Sequence, residues 1–432
     1  MESVGRIQKV LAVIILVAVV FLVLQMRVDS VVYFSFNPIL YTYSIITAAF
    51  LLSRYLFSLF YHPVPVKPDY EPGVTVVVPC FNEEKWIGET IRCLMEQEYP
   101  NEKLEIIIVD DHSTDCSREK IREAISRYES DEENECPKLK FLMQSENMGK
   151  REAMARGSTE ASFDLLVFVD SDSMLEQDAI RHLVQPFQDE KIGGVTGRTD
   201  VANETFNALT RMQQVRYYIA FRVMKAAESC FDAVTCLSGP IACYRRELVE
   251  KHRDEWLQQK FLGFKATFGD DRALTNMILK ESRTCYQDTA VCRTIVPDSY
   301  KVFCRQQMRW KRSWLRESFM AAKYIWRKEP FMSLFFYIGL IVPIAAPFIF
   351  LYNVCLVPLF YQVFPGTFLF GIFLMASMMS FAYLLLRKGK TFLYGFWFCL
   401  YYEVVLLWQM PVAWVTFWKS QWGTRMTKAD LK

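Results

Sequence analysis

Apolar residues are concentrated toward the two ends of the chain, and charged residues fill the block 65–328 between them. A helix of about 20 apolar residues can cross a hydrocarbon core of about 30 Å. Five apolar runs approach or exceed that length: 11–26, 38–61, 331–364, 366–386 and 391–418. The first run is also typical of a signal peptide, but no small-residue cleavage site follows it and a second apolar run comes at once. The pattern therefore predicts a soluble block between membrane segments.

The same pattern predicts how the chain is organised. We expect the following parts: two N-terminal transmembrane helices in 1–64, a cytosolic domain in 65–299, amphipathic interface helices in 300–330, C-terminal transmembrane helices in 331–418 and a cytosolic tail in 419–432. The interface helices are expected because aromatic and basic residues alternate over 310–328, a composition that suits a membrane surface.

Basic residues predict the orientation of the membrane segments. Cytoplasmic loops carry an excess of Lys and Arg. The loop 387–390 is basic and the loop 362–367 is uncharged, so the first is expected in the cytosol and the second outside. This arrangement predicts a multi-pass protein of the plasma membrane with its soluble domain in the cytosol.

The number of C-terminal membrane segments stays open at this stage. Three single crossings would place the tail 419–432 outside, yet its charges are mostly basic and favour the cytosol. One of the long runs is therefore expected to form two segments or a broken one. Proline can interrupt a membrane helix, and the candidate breaks are Pro343 and Pro347, or Pro411.

Short apolar runs alternate with helical patterns in the first part of the soluble block. Such alternation predicts an α/β domain with a doubly wound sheet, whose ligands bind beyond the carboxyl ends of the strands. The predicted strands are 74–78, 104–109, 139–143 and 165–169.

Aspartates follow two of these predicted strands. Asp110 and Asp111 end the second, and Asp170 and Asp172 end the fourth. Alternate residues of an extended segment point the same way, so Asp170 and Asp172 can share one ligand. An isolated Asp-x-Asp is most often a solvated turn, but its place at a strand end favours a site. Carboxylates without His or Cys suit Mg²⁺ or Mn²⁺ bridging a diphosphate.

Two later motifs complete the candidate chemistry. An acid pair, Asp270 and Asp271, precedes an arginine, and one of its carboxylates can act as a general base toward a hydroxyl. A Gln-x-x-Arg-Trp segment contains Arg309, a cation for a leaving diphosphate, and Trp310, a flat face for a sugar ring. Alone, each motif is also compatible with a surface salt bridge or an amphipathic helix.

Composition excludes several classes of protein. The chain has 432 residues, of which 52% are hydrophobic and 23% charged, and its mean hydropathy is +0.09. These values exclude a disordered chain and a small disulfide scaffold. The formal net charge of +2 does not favour a nucleic-acid partner. Ten of the twelve cysteines lie between Cys80 and Cys304 without CxxC spacing, so we expect free thiols.

Jointly, these motifs resemble the processive family 2 glycosyltransferases, the group of cellulose, chitin and hyaluronan synthases. The chain looks most like the hyaluronan synthases. The resemblance covers about 74–425 and rests on these segments: Asp110-Asp111, Asn147-x-Gly-Lys150-Arg151, Asp170-x-Asp172, Cys236-Leu-Ser238-Gly-Pro240, Asp270-Asp271, Gln306-x-x-Arg309-Trp310 and Trp422-Gly-Thr-Arg425. It implies a GT-A-type domain with a mixed, mostly parallel sheet, joined to transmembrane and interface helices.

The resemblance also implies a role for each matching residue. Asp271 would be the catalytic base, Asp172 would hold Mg²⁺ or Mn²⁺, and Trp422 and Arg425 would gate the site. The donor nucleotide sugar would be bound by Asp110, Lys150, Asp170 and Arg309, and the acceptor by Trp310, Ser238 and Gln306. The implied partners are UDP-GlcNAc, UDP-GlcA, the growing polysaccharide and membrane lipids, without nucleic acid, and a monomer is expected to be able to function.

Four alternatives stay open from sequence. Bacterial capsule synthases that polymerise glucuronate with glucose share Lys-Ile-Gly-Gly-Val, here 191–195, and Trp-Gly-Thr-Arg with this chain. A chitin-like synthase has the same motif order. A non-processive enzyme would move one sugar to a lipid carrier. A membrane protein that senses nucleotide sugars would bind them without turnover.

Overall fold

A computed structural model describes residues 5–32, 37–129, 136–387 and 389–419. Its strands are β1 Val74–Cys80, β2 Leu104–Asp110, β3 Lys138–Met143, β4 Leu165–Phe168, β5 Ser173–Leu175, β6 Ile192–Val201, β7 Ala242–Arg245, β8 Lys260–Phe261, β9 Phe264–Lys265 and β10 Arg283–Thr294. Its helices are α1 Arg6–Val32, α2 Pro38–Ser58, α3 Ile87–Met95, α4 Ser117–Glu129, α5 Lys150–Thr159, α6 Ala179–Leu183, α7 Ala208–Ile219, α8 Ala226–Ser229, α9 Arg246–Leu257, α10 Asp270–Glu281, α11 Tyr300–Ala321, α12 Pro330–Leu351, α13 Gly366–Leu386, α14 Tyr394–Tyr401 and α15 Gln409–Trp414.

Shorter helical segments connect several of these elements. Three π-helical segments, Ala220–Lys225, Tyr352–Tyr361 and Tyr402–Leu406, continue α7, α12 and α14. The 3₁₀ turns are Asn101–Lys103, Gln185–Gln188, Ile325–Arg327 and Lys390–Leu393.

In the described residues, the soluble block is built on a mixed eight-stranded sheet. Its strand order is β3-β2-β1-β4-β7-β6-β10-β5. The pairs β3–β2, β2–β1, β1–β4 and β6–β10 are parallel, whereas β7 runs antiparallel to both β4 and β6. The four strands predicted from the apolar runs are confirmed. Four further strands, β5, β6, β7 and β10, extend the sheet beyond the predicted half.

Alternating side chains bury both faces of this sheet. Val76 and Ile106 pack with α3, α4 and α6, while the neighbouring Val77 and Ile107 pack with α5, α9 and α10. Fully burying an aliphatic side chain of this size stabilises a fold by roughly 1.5–3 kcal/mol. The expected α/β domain is thus confirmed as three layers, with the carboxyl ends of β1, β2 and β4 together at one edge.

Among the described residues, four helices are long and apolar enough to cross a membrane: Arg6–Val32, Pro38–Ser58, Pro330–Tyr361 and Gly366–Leu386. The third includes the π-helical continuation of α12 and passes through Pro343 and Pro347 without ending. Of the two candidate breaks, the one at Pro343 and Pro347 is therefore not seen, which leaves Pro411.

The last apolar run differs from a straight crossing. α14 has only eight residues and passes into the π-helical segment Tyr402–Leu406, and α15 then starts at Gln409. Pro411 lies in the first turn of α15, where its missing N–H has no helical acceptor to lose. This run is the broken one, and it packs on α7, α11 and α13.

Polar contacts attach the apolar helices to the domain. Arg387, at the end of α13, lies 3.4 Å from carboxylate oxygens of both Asp200 and Glu204. Gln8 of α1 donates hydrogen bonds to the carbonyl oxygens of Leu384 and Arg387. The end of α13 and the start of α1 therefore lie on the same side as the sheet domain.

Candidate active site

Asp110 lies at the end of β2 and is completely buried. Arg118 Nε donates to Asp110 Oδ2 over 2.6 Å, and the N–H of Ser113 donates to Oδ1 over 3.2 Å. The carboxylate therefore holds the loop between β2 and α4. Direct contact with a ligand, as the motif implies, would require the ion pair with Arg118 to open.

Asp111 fixes the start of α5. Its carboxylate accepts hydrogen bonds from Gln144 Nε2 (2.7 Å) and from the N–H groups of Met148 (2.8 Å) and Gly149 (2.9 Å). Burial raises the pKa of Asp111 to about 6, and the charge of Asp110 adds to this, although the three hydrogen bonds oppose it. Asp111 thus positions the segment that leads to Lys150.

Lys150, Asp170 and Gly239 meet at the carboxyl edge of the sheet. Lys150 forms an ion pair with Asp170, and both side chains are about three-quarters buried. A Cβ atom at Gly239 would lie 3.1 Å from Asp170 Oδ2, so the absence of a side chain lets the Ser-Gly-Pro segment approach this pair. Burial lowers the pKa of Lys150, but Asp170, Asp270 and Asp271 outweigh it and leave the pKa raised.

The acid pair at the start of α10 divides into two different environments. Asp270 is buried and accepts a hydrogen bond of 3.0 Å from Arg151 Nε. Arg151 also donates to the carbonyl of Trp256 (2.8 Å) and to Gln259 Oε1 (3.0 Å). Asp270 therefore belongs to a buried network that anchors α10 against α5 and α9.

Asp271 is only half-buried and lies beside the candidate site. It accepts a hydrogen bond from Cys236 Sγ (3.5 Å) and one from the N–H of Arg272 (2.8 Å). Its charge acts on both Lys150 and Lys225, and Lys225 donates a hydrogen bond to the Cys236 carbonyl. Among the predicted residues, Asp271 is thus placed as an accessible carboxylate near Lys150.

Tyr217 of α7 lies near three charged residues that the sequence assigned to the site, Asp170, Asp172 and Arg309. Burial raises the pKa of Tyr217 to about 12, Asp172 and Asp170 raise it further, and Arg309 lowers it. Its ring centroid lies 6.4 Å from that of Trp310. Tyr217 of α7 therefore lies against Trp310 of α11, within reach of the charges of Asp170, Asp172 and Arg309.

Two further predicted residues border this region. Gln306 is half-buried, and its Oε1 has no hydrogen-bond partner within the described part of the chain. Ser238 is half-buried, and its N–H donates to Thr196 Oγ1 over 3.1 Å. Both lie on elements of the site, with Gln306 one turn before Trp310 on α11 and Ser238 beside Gly239.

Comparison with known proteins decides the family. The family model described as "Glycosyltransferase like family 2" matches residues 72–313, which is more than half of the chain. A second family model, described as "Chitin synthase", matches residues 257–431. This chain belongs to glycosyltransferase family 2.

Individual relatives agree with this family 2 assignment. A hyaluronan synthase of Streptococcus pyogenes is 35% identical over 66% of this chain and 66% of its own length. An N-acetylglucosaminyltransferase of Rhizobium meliloti is 36% identical over 63% of this chain and 62% of its own length. The matched region thus spans slightly less than two thirds of each relative.

A solved structure supports the GT-A-type fold of this family 2 chain. A mannosyltransferase of Pyrobaculum calidifontis, solved in complex with GDP-Man and Mn²⁺, aligns with a TM-score of 0.58 at 21% identity. The alignment covers 86% of this chain and 96% of the mannosyltransferase.

The family 2 site contains two candidate metal-binding carboxylates, Asp170 and Asp172. Within the described ranges, no group of three or more His, Cys, Asp or Glu side chains could hold a metal ion. Mg²⁺ is commonly held by one or two carboxylates together with substrate phosphates. The two aspartates therefore fit a metal that arrives with a diphosphate, and they do not form a complete protein cage.

The structure thus brings together most of the residues that sequence predicted for this family 2 site, apart from the buried Asp110. Trp422 and Arg425 lie outside the described residues. Sequence reasoning missed the side of the site formed by Tyr217 of α7 and by Lys225 at the end of its π-helical continuation Ala220–Lys225. Its only local signal was the basic and aromatic run Arg216-Tyr217-Tyr218, which carries no recognisable motif.

Proposed function

We propose that this chain is a membrane-embedded processive glycosyltransferase that polymerises hyaluronan from UDP-GlcNAc and UDP-GlcA and moves the growing chain across the membrane. The observation that carries the proposal is one cluster at the sheet edge. It joins the Lys150–Asp170 pair and Asp271 with the wall of Tyr217 and Trp310, next to the apolar helices. The resemblance to the S. pyogenes hyaluronan synthase supports the choice of product.

The proposed reaction is a direct displacement with inversion. The acceptor hydroxyl attacks the anomeric carbon of the donor, its proton passes to Asp271, and UDP leaves with the electrons of the broken bond. Lys150 and Arg309 stabilise the negative charge of the departing UDP. Trp310 supports the acceptor sugar, and Ser238 and Gln306 supply polar groups beside it. Asp110 contacts uridine after its pair with Arg118 opens.

Mg²⁺ or Mn²⁺ would be held by Asp172, with help from Asp170, and would neutralise the diphosphate when bound. In the present arrangement Lys150 neutralises Asp170 instead. Donor binding would therefore redistribute the Lys150 charge toward the phosphates. Trp422 and Arg425 are proposed to gate the site from the tail.

The helical arrangement supports a path for the product. α1, α2, α12 and α13 give an even number of crossings, and the end of α13 returns to the domain through Arg387. The broken run of α14 and α15 lies against α11, which carries Trp310. With the domain in the cytosol of the plasma membrane, a polymer leaving Trp310 would enter the apolar helices directly.

A second product is favoured by one comparison. The R. meliloti relative is named an N-acetylglucosaminyltransferase and is as similar to this chain as the hyaluronan synthase is. A polymer of GlcNAc alone is therefore the main competitor to hyaluronan.

The test is product formation by the purified full chain in detergent with Mg²⁺ or Mn²⁺. UDP-GlcNAc, UDP-GlcA and UDP-Glc are supplied singly and in pairs, and products are digested with hyaluronidase or chitinase. We expect a long polymer only from UDP-GlcNAc with UDP-GlcA, and its digestion by hyaluronidase. If a polymer forms from UDP-GlcNAc alone, the enzyme is a chitin-like synthase. If a polymer forms from UDP-Glc with UDP-GlcA, it is a capsule-type synthase.

Two further results would contradict the proposal more deeply. Short lipid-linked products alone would indicate a non-processive transferase. Donor binding without release of UDP from any of the three nucleotide sugars would indicate a sensor.

A further inference from the structure

A half-buried cation, Arg216, and a buried one, Lys311, lie close to Trp310 without an acidic partner among the described residues. Arg216 is on α7, and Lys311 follows Trp310 on α11. Lys311 is 9% exposed and Arg216 is half-buried. Throughout the described ranges, neither side chain forms an ion pair or a hydrogen bond with the protein. Burying an uncompensated charge is costly, so this arrangement calls for an explanation.

Aromatic rings lie over both cations within the described part of the chain, and the Cys304 thiol also lies close enough to act on Lys311. The Arg216 guanidinium lies 5.4 Å from the ring centroid of Trp310 and 5.6 Å from that of Phe398. The Lys311 ammonium lies 5.5 Å from the ring centroid of Tyr402. Ring faces attract cations, but they compensate for lost hydration less well than a carboxylate does. A sugar that stacks on such a ring would bring its substituents close to the cations.

The two cations also act on each other. Burial lowers the pKa of Lys311 to about 7, and the nearby charge of Arg216 lowers it further. An anion between them would reverse this repulsion. Glu403 follows Tyr402 in sequence but forms no ion pair with either cation in the described structure.

The surrounding helices offer unfilled hydrogen-bonding groups. Within the described residues, the following buried side-chain atoms of α11 and α15 have no partner: Gln306 Oε1, Gln307 Nε2, Gln409 Oε1 and Trp414 Nε1. Gln409 Nε2 donates to the carbonyl of Cys304, which places α15 directly on α11. We call the region around Arg216 of α7 and Lys311 of α11 the seam. A ligand with hydroxyl groups and a negative charge would supply hydrogen bonds to these unpaired atoms and an anion for the two cations, whereas a purely apolar ligand would supply neither.

We propose that Arg216 and Lys311 bind the carboxylate of a uronic acid in the acceptor chain, beside the sugar that stacks on Trp310. This inference rests on the proposed function and narrows it to an acidic polysaccharide. Two cations that lie over aromatic rings suit a charged group carried on a sugar ring. A neutral GlcNAc polymer would leave both cations uncompensated.

The test measures oligosaccharide binding to the purified full chain, without nucleotide sugar. Fluorescent hexasaccharides of hyaluronan and of chitin are titrated against the wild type, Arg216→Gln, Lys311→Met and the double variant. We expect the wild type to bind the hyaluronan hexasaccharide at least about tenfold more tightly. The double variant should lose affinity for the hyaluronan hexasaccharide but keep its affinity for the chitin hexasaccharide. Its two affinities should therefore lie within about twofold of each other.

Matched controls separate this site from general charge and from misfolding. Arg211→Gln removes another α7 cation, which stacks 5.5 Å from the ring of Tyr394 and lies outside the proposed site. This variant should keep the tenfold preference. Arg216→Lys should keep most of it because the charge remains. Lys311→Met should not lower the melting temperature, since it removes a buried charge without a partner.

Either of two outcomes would overturn the proposal: equal affinities in the wild type, or a preference that survives in the double variant. Nanodiscs with phosphatidylglycerol in place of phosphatidylcholine should not change the preference; its loss would assign the cations to lipid phosphate. Release of UDP from nucleotide sugars is measured on the same preparations. Its absence would refute the proposed function without altering the binding result.

Discussion

Buried charges are compensated differently in the two halves of the site. At the sheet edge, Arg151 is paired with Asp270 and donates further hydrogen bonds to neighbouring groups. At the seam of α7 and α11, Arg216 and Lys311 face aromatic rings and have no acid in the described structure. Both regions remove charge from water, but only the first supplies the opposite charge from within the chain.

This difference separates charges that hold the fold from charges that hold a ligand. Removing one member of a buried pair leaves the other uncompensated and destabilises by about 3–5 kcal/mol. Removing a buried charge that has no partner relieves a cost that the folded protein carries. Substitutions at the sheet edge should therefore reduce stability, and those at the seam should reduce recognition. Asp271 belongs to neither set of charges, since it accepts hydrogen bonds from Cys236 and the N–H of Arg272. Substituting it should therefore lower the rate of sugar transfer without lowering stability or recognition.

The largest effect is expected for Asp271→Asn. Loss of a general base slows transfer by about 10²–10⁴-fold, because the acceptor proton has no receiver. Affinity for UDP-sugar and thermal stability should stay near wild type, since Asp271 is half-exposed and accepts only local hydrogen bonds. Polymer synthesis and donor binding measured on the same preparation check this. Near-normal turnover would refute the assignment of the base.

The neighbouring Arg151 gives the sharpest contrast. Arg151→Met should destabilise the domain by about 3–5 kcal/mol, because it leaves Asp270 buried without its cation. Thermal unfolding in detergent measures this loss. The control is Arg253→Met on α9, whose pair with Glu250 is partly exposed and contributes about 0–1 kcal/mol. Equal losses in the two variants would contradict the structural role of the Arg151 network.

A smaller effect on turnover is expected for Asp172→Asn. This substitution removes one of two carboxylates that suit a diphosphate-bound metal, so metal affinity should fall by about 10–100-fold. Titration of activity against Mg²⁺ and Mn²⁺ gives the shift in half-saturating metal concentration. The control is Asp178→Asn, whose half-exposed carboxylate lies 3.3 Å from His182 Nε2 and which should leave the metal titration unchanged. Unaltered metal stimulation in Asp172→Asn would exclude it as a ligand.

The predicted and unpredicted parts of the fold differ in how local their signals are. Strands β1 to β4 were predictable because each is a contiguous β-branched or apolar run beside a helical pattern. Strand β7 was not predictable, since it gains its place through antiparallel pairing with both β4 and β6, more than 40 residues away along the chain. Such pairing depends on tertiary contacts, which no local pattern contains.

The same reason limits what sequence revealed about the site. The motif around Asp270 and Asp271 was recognisable, but their division into a buried and an accessible acid was not. That division depends on Arg151, which is 119 residues from Asp270 in sequence. The seam cations were invisible as a pair because Arg216 and Lys311 lie on different helices. Strand ends identify where a site forms, whereas partners distant in sequence decide what each residue does there.

The smallest expected effect concerns Asp111, which shares the sheet edge but is held by N–H donors instead of a cation. Burial raises its pKa to about 6, above the value of about 3.9 for an unfolded chain. The protonated carboxyl of Asp111 is therefore favoured in the folded protein. Its contribution to the free energy of unfolding is fully present below about pH 4 and is lost as the pH rises through about 6. A shift of this size corresponds to about 1–3 kcal/mol.

Asp111→Asn removes this titration. The free energy of unfolding of the wild type minus that of the variant should therefore fall by about 1–3 kcal/mol between about pH 4.5 and 7.5. Thermal unfolding of the wild type and the variant at both pH values measures this difference. A difference that grows with pH would mean that the ionised carboxylate is the favoured form. In that case the hydrogen bonds from Gln144, Met148 and Gly149 would compensate a buried charge as fully as Arg118 does at Asp110, and a cation would not be required at this edge of the sheet.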